Sequence, residues 1–167
     1  MDIRSILKQV EEEWSNKTVP FPINDPEPFD ENGNMVLNKE GKPIATLKGQ
    51  CVQFIRWMLV EKMGLPNWQP VKDAKAANFW TQYESDPAMY KHWDKLPNTP
   101  SFLPKEGDIC IWNTNKGGGY GHIAMVFEDR HTLNWFYSIE SNWKPLRVSV
   151  VQHSYDDVIG FFRLKGE

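Results

Sequence analysis

Five short runs rich in β-branched and aromatic residues crowd the last third of the chain, and they restrict the fold more than any other feature. They cover 108–112, 122–127, 134–140, 147–151 and 159–163, and turn-sized gaps separate them. Runs of this length and spacing predict an antiparallel sheet. The helical signals come earlier. Ile3, Ile6, Leu7, Val10 and Trp14 recur at helical spacing beside Glu11, Glu12 and Glu13, which predicts an amphipathic helix with one face on the core. Val52, Phe54, Ile55, Met58, Leu59 and Met63 follow Gly49-Gln50-Cys51 and stop at Gly64-Leu65-Pro66. That helix is apolar on most of its circumference and is expected to be buried. A further helix is expected over 73–83, with Ala74, Ala77 and Trp80 on one face. Helices first and strands afterwards give an α+β class, N-terminal helices packed on a C-terminal antiparallel β-sheet.

Between these elements the composition changes. From 19 to 49 it shifts to Pro, Asn, Asp and Gly, and 32–44 reads as a short hairpin with a polar turn. Asp30, Asn32 and Asn34 have the one-three-five spacing of a calcium loop. Met35 stands where that loop requires Gly, and Gly41 where it requires Glu, so a plain polar turn is favoured over a calcium site. The stretch 84–105, rich in Pro and polar residues, reads as irregular.

A chain of 167 residues suits one domain, 1–167, with 1–48 as a helix and hairpin extension and 49–167 as the core. A net charge of −3 without a dense Lys/Arg block argues against nucleic acid as a partner. No segment approaches a membrane span, and residues 1–6 lack an apolar leader, so the protein is expected to be made in a cytoplasm. A monomer is expected. Eight Trp, five Tyr and nine Phe are enough to fill a core and still supply rings to a binding groove. Trp80, Tyr83, Tyr90, Trp93 and Phe102 fit either role.

The chemistry starts at Cys51. It opens the buried helix, where aligned peptide dipoles favour a thiolate, the attacking form of cysteine. An inert packing cysteine is the competing reading from position alone. His122 begins an apolar strand directly after Gly117-Gly118-Gly119-Tyr120-Gly121, a place where a general base can meet a substrate. Glu140 and Asn142 end the next strand and, two apart, are expected on one face, where either can accept from an imidazole. Glu140-Ser141-Asn142 alone would read as a polar turn.

In the order Cys, His, then Glu or Asn, the chain resembles the CHAP domains, papain-like cysteine, histidine-dependent amidohydrolases and peptidases. The resemblance is carried by Gly49-Gln50-Cys51, by Gly107-Asp108-Ile109-Cys110-Ile111-Trp112, by Gly119-Tyr120-Gly121-His122-Ile123-Ala124-Met125-Val126 and by Ile139-Glu140-Ser141-Asn142-Trp143. It implies a papain-like fold. It implies that Cys51 attacks an amide carbonyl, that His122 activates it, that Glu140 orients His122 and that Asn142 supports the same network. The Cys51 N–H and the Gln50 side chain would hold the oxyanion. Tyr120, Trp112 and Trp143 would supply rings to the substrate groove, and Cys110 would be packing. The implied substrate is bacterial peptidoglycan, cut at the muramoyl–L-alanine amide or at a stem or cross-bridge peptide bond. The implied setting is a phage lysin made in the host cytoplasm without a signal peptide, acting on the wall after release. A secreted antibacterial amidase and an idle wall-binding module are the alternatives. No cofactor is implied. Many phage members carry an Asp-rich calcium loop before the Gln-Cys pair, but residues 42–48 here hold no carboxylate.

Overall fold

The computed structural model describes residues 1–167. All five expected strands form and are joined by a sixth. The helices are α1 (Ile3–Trp14), α2 (Cys51–Trp57), α3 (Asn78–Gln82) and α4 (Pro87–Tyr90). The strands are β1 (Trp93–Pro97), β2 (Ile109–Trp112), β3 (His122–Val126), β4 (Phe136–Lys144), β5 (Arg147–His153) and β6 (Val158–Leu164). They make one sheet in the order β1-β6-β2-β3-β4-β5, with every neighbouring pair antiparallel.

Side chains alternate along these strands and bury both faces of the sheet. One face carries Ile109, Ile111, Ile123, Met125, Ile139 and Phe162, and it shares a core with Leu7 and Val10 of α1 and Phe54 and Ile55 of α2. The other carries Cys110, Trp112, Ala124, Val126, Phe136 and Phe161, against which Phe102 and Tyr155 pack. Registers Trp112↔His122 and Val126↔Ser138 place His122, Ser138 and Glu140 on this second face.

Four expectations change. The segment 84–105 is not irregular, since it contains α4 and β1. Asp86 caps α4 by accepting from the Ala88 N–H at 2.9 Å, with Pro87 in the first turn. β1 is an edge strand whose single fully buried residue is Trp93, so no alternating pattern marks it. The helix over 73–83 begins only at Asn78, because Asp73 and Ala74 adopt left-handed backbone at φ 56° and 54°. α2 continues past Trp57 as a π-turn, Met58–Lys62, in which the Met63 N–H reaches the Met58 carbonyl at 2.9 Å. The segment 32–44 is two tight loops in place of one hairpin. Asp30 Oδ1 accepts from the N–H groups of Asn32 and Asn34, and Asn38 Oδ1 from those of Glu40 and Lys42. Of the calcium triplet, Asp30 therefore spends an oxygen on its own turn, as a polar turn requires.

The entry to α2 is fixed by close backbone approach. Gly49 has φ +82°, and a Cβ there would stand 2.4 Å from the Leu146 carbonyl oxygen in the β4–β5 turn. Ser141, fully buried, donates to the Gly49 carbonyl at 2.6 Å. Gly49→Ala is therefore expected to destabilise the fold by about 2–3 kcal/mol, combining steric overlap with left-handed strain. Urea unfolding of the two proteins measures the loss.

Candidate active site

Cys51 is the first residue of α2 and is partly exposed; His122 is the first residue of β3 and only 5% exposed. Gly121, just before His122, is packed tightly. At φ +75° its backbone passes so near Ala77 and the Trp112 carbonyl that a Cβ would lie 2.7 Å from each. The His122 ring hydrogen-bonds Glu140 Oε2 through Nε2, which leaves Nδ1 for Cys51, its neighbour in the cleft.

Glu140 is completely buried and fully partnered. His122 donates to Oε2, while Ser138 Oγ at 2.6 Å and His153 Nε2 at 2.5 Å donate to Oε1. Burial pushes its pKa up, but the hydrogen bonds from His122 and His153 outweigh that and bring it down to about 2. Burial pushes His122 down, yet the Cys51 and Glu140 side chains beside it outweigh that and raise it to about 10. The arrangement is a buried carboxylate holding an imidazolium whose other nitrogen faces a thiol.

Asn142 does not join the His122 network. Its Nδ2 donates to Gln50 Oε1 at 2.9 Å, and its Oδ1 accepts from the Leu146 N–H at 3.0 Å. The cause is a bulge after Ser141, where the pairing register shifts and Asn142 takes φ +71°, so the two-residue alternation from Glu140 breaks. Asn tolerates this left-handed position better than most residues. Its effect is to hold the carbonyl end of Gln50, leaving the Nε2 end for the cleft beside Cys51.

That cleft is bordered by Leu47, Gln50, Cys51, Tyr120, His122 and Asn142. Tyr120 is half exposed there; Trp143, also half exposed, lies 5.8 Å from the His122 ring centroid but does not border the cleft. Trp112 is not a groove ring. It is 1% exposed and packs against His122 and His153 at 5.3 and 4.8 Å, because its strand pairs it with His122 beneath the cleft. Trp80 and Tyr83 pack on Phe162, Trp93 is fully buried, and Phe102 stacks on Phe161; none of them borders the cleft. Cys110 is fully buried, and burial followed by the Glu140 charge pushes its thiol well up, so it stays neutral. No group of three or more His, Cys, Asp or Glu side chains converges on a point where a metal would sit.

Two residues of this arrangement were not expected. Ser138 had a signal, since it lies two before Glu140 on the same strand face. His153 had none, because the run of β-formers stops at Val151 and β5 extends two residues further.

A cysteine at a helix start, with a carboxylate-backed histidine on the antiparallel sheet beside it, is a papain-like arrangement of elements. Residues 41–142 match the family model described as CHAP domain, and the chain belongs to that family. Probable autolysin PH of Staphylococcus aureus (strain NCTC 8325 / PS 47) is 30% identical over 96 residues, 49% of this chain and 19% of that protein. Endolysin PlyTW of Staphylococcus phage Twort is 32% identical over 74 residues, 40% of this chain and 16% of that one. The chain thus spans less than a fifth of the length of these relatives. The crystal structure of the wild-type endolysin LysIME-EF1 superposes with a TM-score of 0.55 at 20% identity, over 96% of this chain and 63% of that one, a likeness of fold.

Proposed function

We propose that the protein hydrolyses an amide bond of bacterial peptidoglycan by cysteine nucleophilic catalysis. The observation that carries this is His122 lying between Cys51 and the buried Glu140. Cys51 Sγ, as thiolate, attacks the carbonyl carbon, and the tetrahedral oxyanion is met by the Cys51 N–H and the Gln50 amide that Asn142 holds. The C–N bond then breaks while His122 gives its proton to the leaving amine. Water attacks the thioester, His122 takes the water proton, and the acid leaves with Cys51 restored as thiolate. Glu140 keeps the ring in the orientation both transfers need. Each step uses side chains of this chain, and none calls on a cofactor.

The wall polymer as substrate rests on family membership and on relatives whose names are autolysin and endolysin. Val52 and the small residues Ala74, Ala76, Gly117 and Gly121 line the rest of the cleft and leave room for the small side chains of a wall peptide. A phage lysin acting on the wall after release is the setting these similarities favour. No helix is long and apolar enough to cross a membrane. A binding module has no use for a thiol paired with a charged imidazole, which weighs against the idle reading. Digestion of purified peptidoglycan followed by mass spectrometry is the test. New free amines without new reducing sugar ends are expected. Free muramic carboxyls would assign the muramoyl–L-alanine amide, and new peptide termini alone the stem or cross-bridge. Release of reducing ends, or no release, would overturn the proposal.

A further inference from the structure

Glu140 is gripped by a side chain that the Cys51–His122 pair does not itself require. His153, the last residue of β5, donates Nε2–H to Glu140 Oε1 at 2.5 Å, and its side chain is only 6% exposed. The His153 ring is itself fixed. Trp112 lies against it at 4.8 Å, Trp143 meets it edge-on at 4.8 Å and 89°, and Phe136 stands at 5.8 Å. The same two tryptophans contact His122 at 5.3 and 5.8 Å. Two imidazoles, held by one pair of rings, thus grasp opposite oxygens of one buried carboxylate.

A carboxylate bonded through one oxygen can rotate about its terminal bond and carry its partner with it. Ser138 donates to Oε1 as well, but a hydroxyl rotates to suit and gives little direction. An imidazole clamped by tryptophans gives a donor of fixed direction.

We propose that His153 is a positioning residue of this site: through Nε2–H it holds Glu140 in the orientation that points His122 at Cys51. The proposal rests on the Cys51–His122 reading of the site and adds a support from β5 to it.

His153→Phe keeps a ring between Trp112 and Trp143 but removes the N–H, while His153→Gln restores an N–H donor of similar reach. The first readout is the rate of Cys51 alkylation by iodoacetamide, followed by intact mass, with no wall polymer present; Cys110 is fully buried and silent. The second is kcat and KM on soluble wall fragments. Phe is expected to slow alkylation and kcat by about tenfold, the loss of one hydrogen bond to a charged group, with KM unchanged. Gln is expected to recover most of both rates. Wild-type rates in the Phe variant, or a Gln variant as slow as Phe, would overturn the proposal. Should Phe fail to fold by circular dichroism, His153→Met, whose flexible chain fills the same space, takes its place with the same two outcomes. Alkylation that follows the expected pattern while even the wild type cuts no wall fragment leaves the positioning role standing and removes the substrate.

Discussion

Cys51→Ala is expected to abolish wall clearing, with a rate at least about 10³-fold below wild type, the scale on which covalent nucleophiles fail when removed. The reaction proposed passes through a thioester, and no other thiol can take over. Cys110 lies on the second face of the sheet, fully buried, with its proton held by burial and by the Glu140 charge. The substitution leaves the fold alone. Cys51 is partly exposed at the first position of α2, and Ala suits a helix at least as well. Turbidity of a wall suspension measures the loss, and circular dichroism shows that the variant is folded. Intact mass after brief exposure to substrate adds a second readout: a covalent adduct on wild type and none on the variant. Equal clearing by the two proteins would remove Cys51 from the reaction.

Much of this arrangement was legible because it follows simple periodicities. The apolar wheel from Val52 to Met63 could only be a buried helix, so Cys51 had to stand at its start. The apolar run through 122–127 after a Gly-rich turn fixes His122 at a strand mouth, while its shared sheet face with Glu140 comes from the strand registers. What was missed lies where periodicity ends. Asn142 was placed beside His122 because residues two apart share a face, but the bulge after Ser141 cancels that rule and sends the side chain to Gln50. The resemblance assigns Trp112 to the groove. Its cross-strand pairing with His122, which a single sequence does not disclose, puts it underneath. β1 was lost because an edge strand buries little, and Trp93 alone is fully enclosed. His153 was lost because β5 outlasts its run of β-formers, and because a carboxylate's second oxygen has no signature in sequence.

Glu140→Gln is the second substitution with a large expected effect, a fall in kcat on the order of 10²- to 10⁴-fold, by comparison with the loss of the orienting carboxylate in serine-protease triads. The volume is unchanged, but the hydrogen-bond pattern is not. Glu140 receives from three donors, and an amide can receive on one side only, so its N–H₂ must confront His122 or the Ser138 and His153 pair. The charge is also gone. His122, buried, owes its rise to about 10 to Cys51 and Glu140, so without the carboxylate it loses its proton at lower pH. The imidazolium is the acid that protonates the leaving amine. The alkaline limb of the wild-type rate profile is therefore expected near pH 10, and that of the variant well below it. Stability follows with a definite sign. A histidine raised from 6.5 contributes fully below 6.5 and loses its contribution as pH climbs through about 10. A carboxylate lowered from 4.5 contributes fully above 4.5 and loses it as pH falls through about 2. Both contributions are complete between 4.5 and 6.5, so the wild-type melting temperature should fall toward pH 10 and toward pH 2 from that interval. In Glu140→Gln the acid-side contribution disappears and the alkaline decline begins at lower pH. Thermal melts and rate profiles of the two proteins across this range decide the matter, and coincident alkaline limbs would mean that Glu140 does not hold the charge on His122.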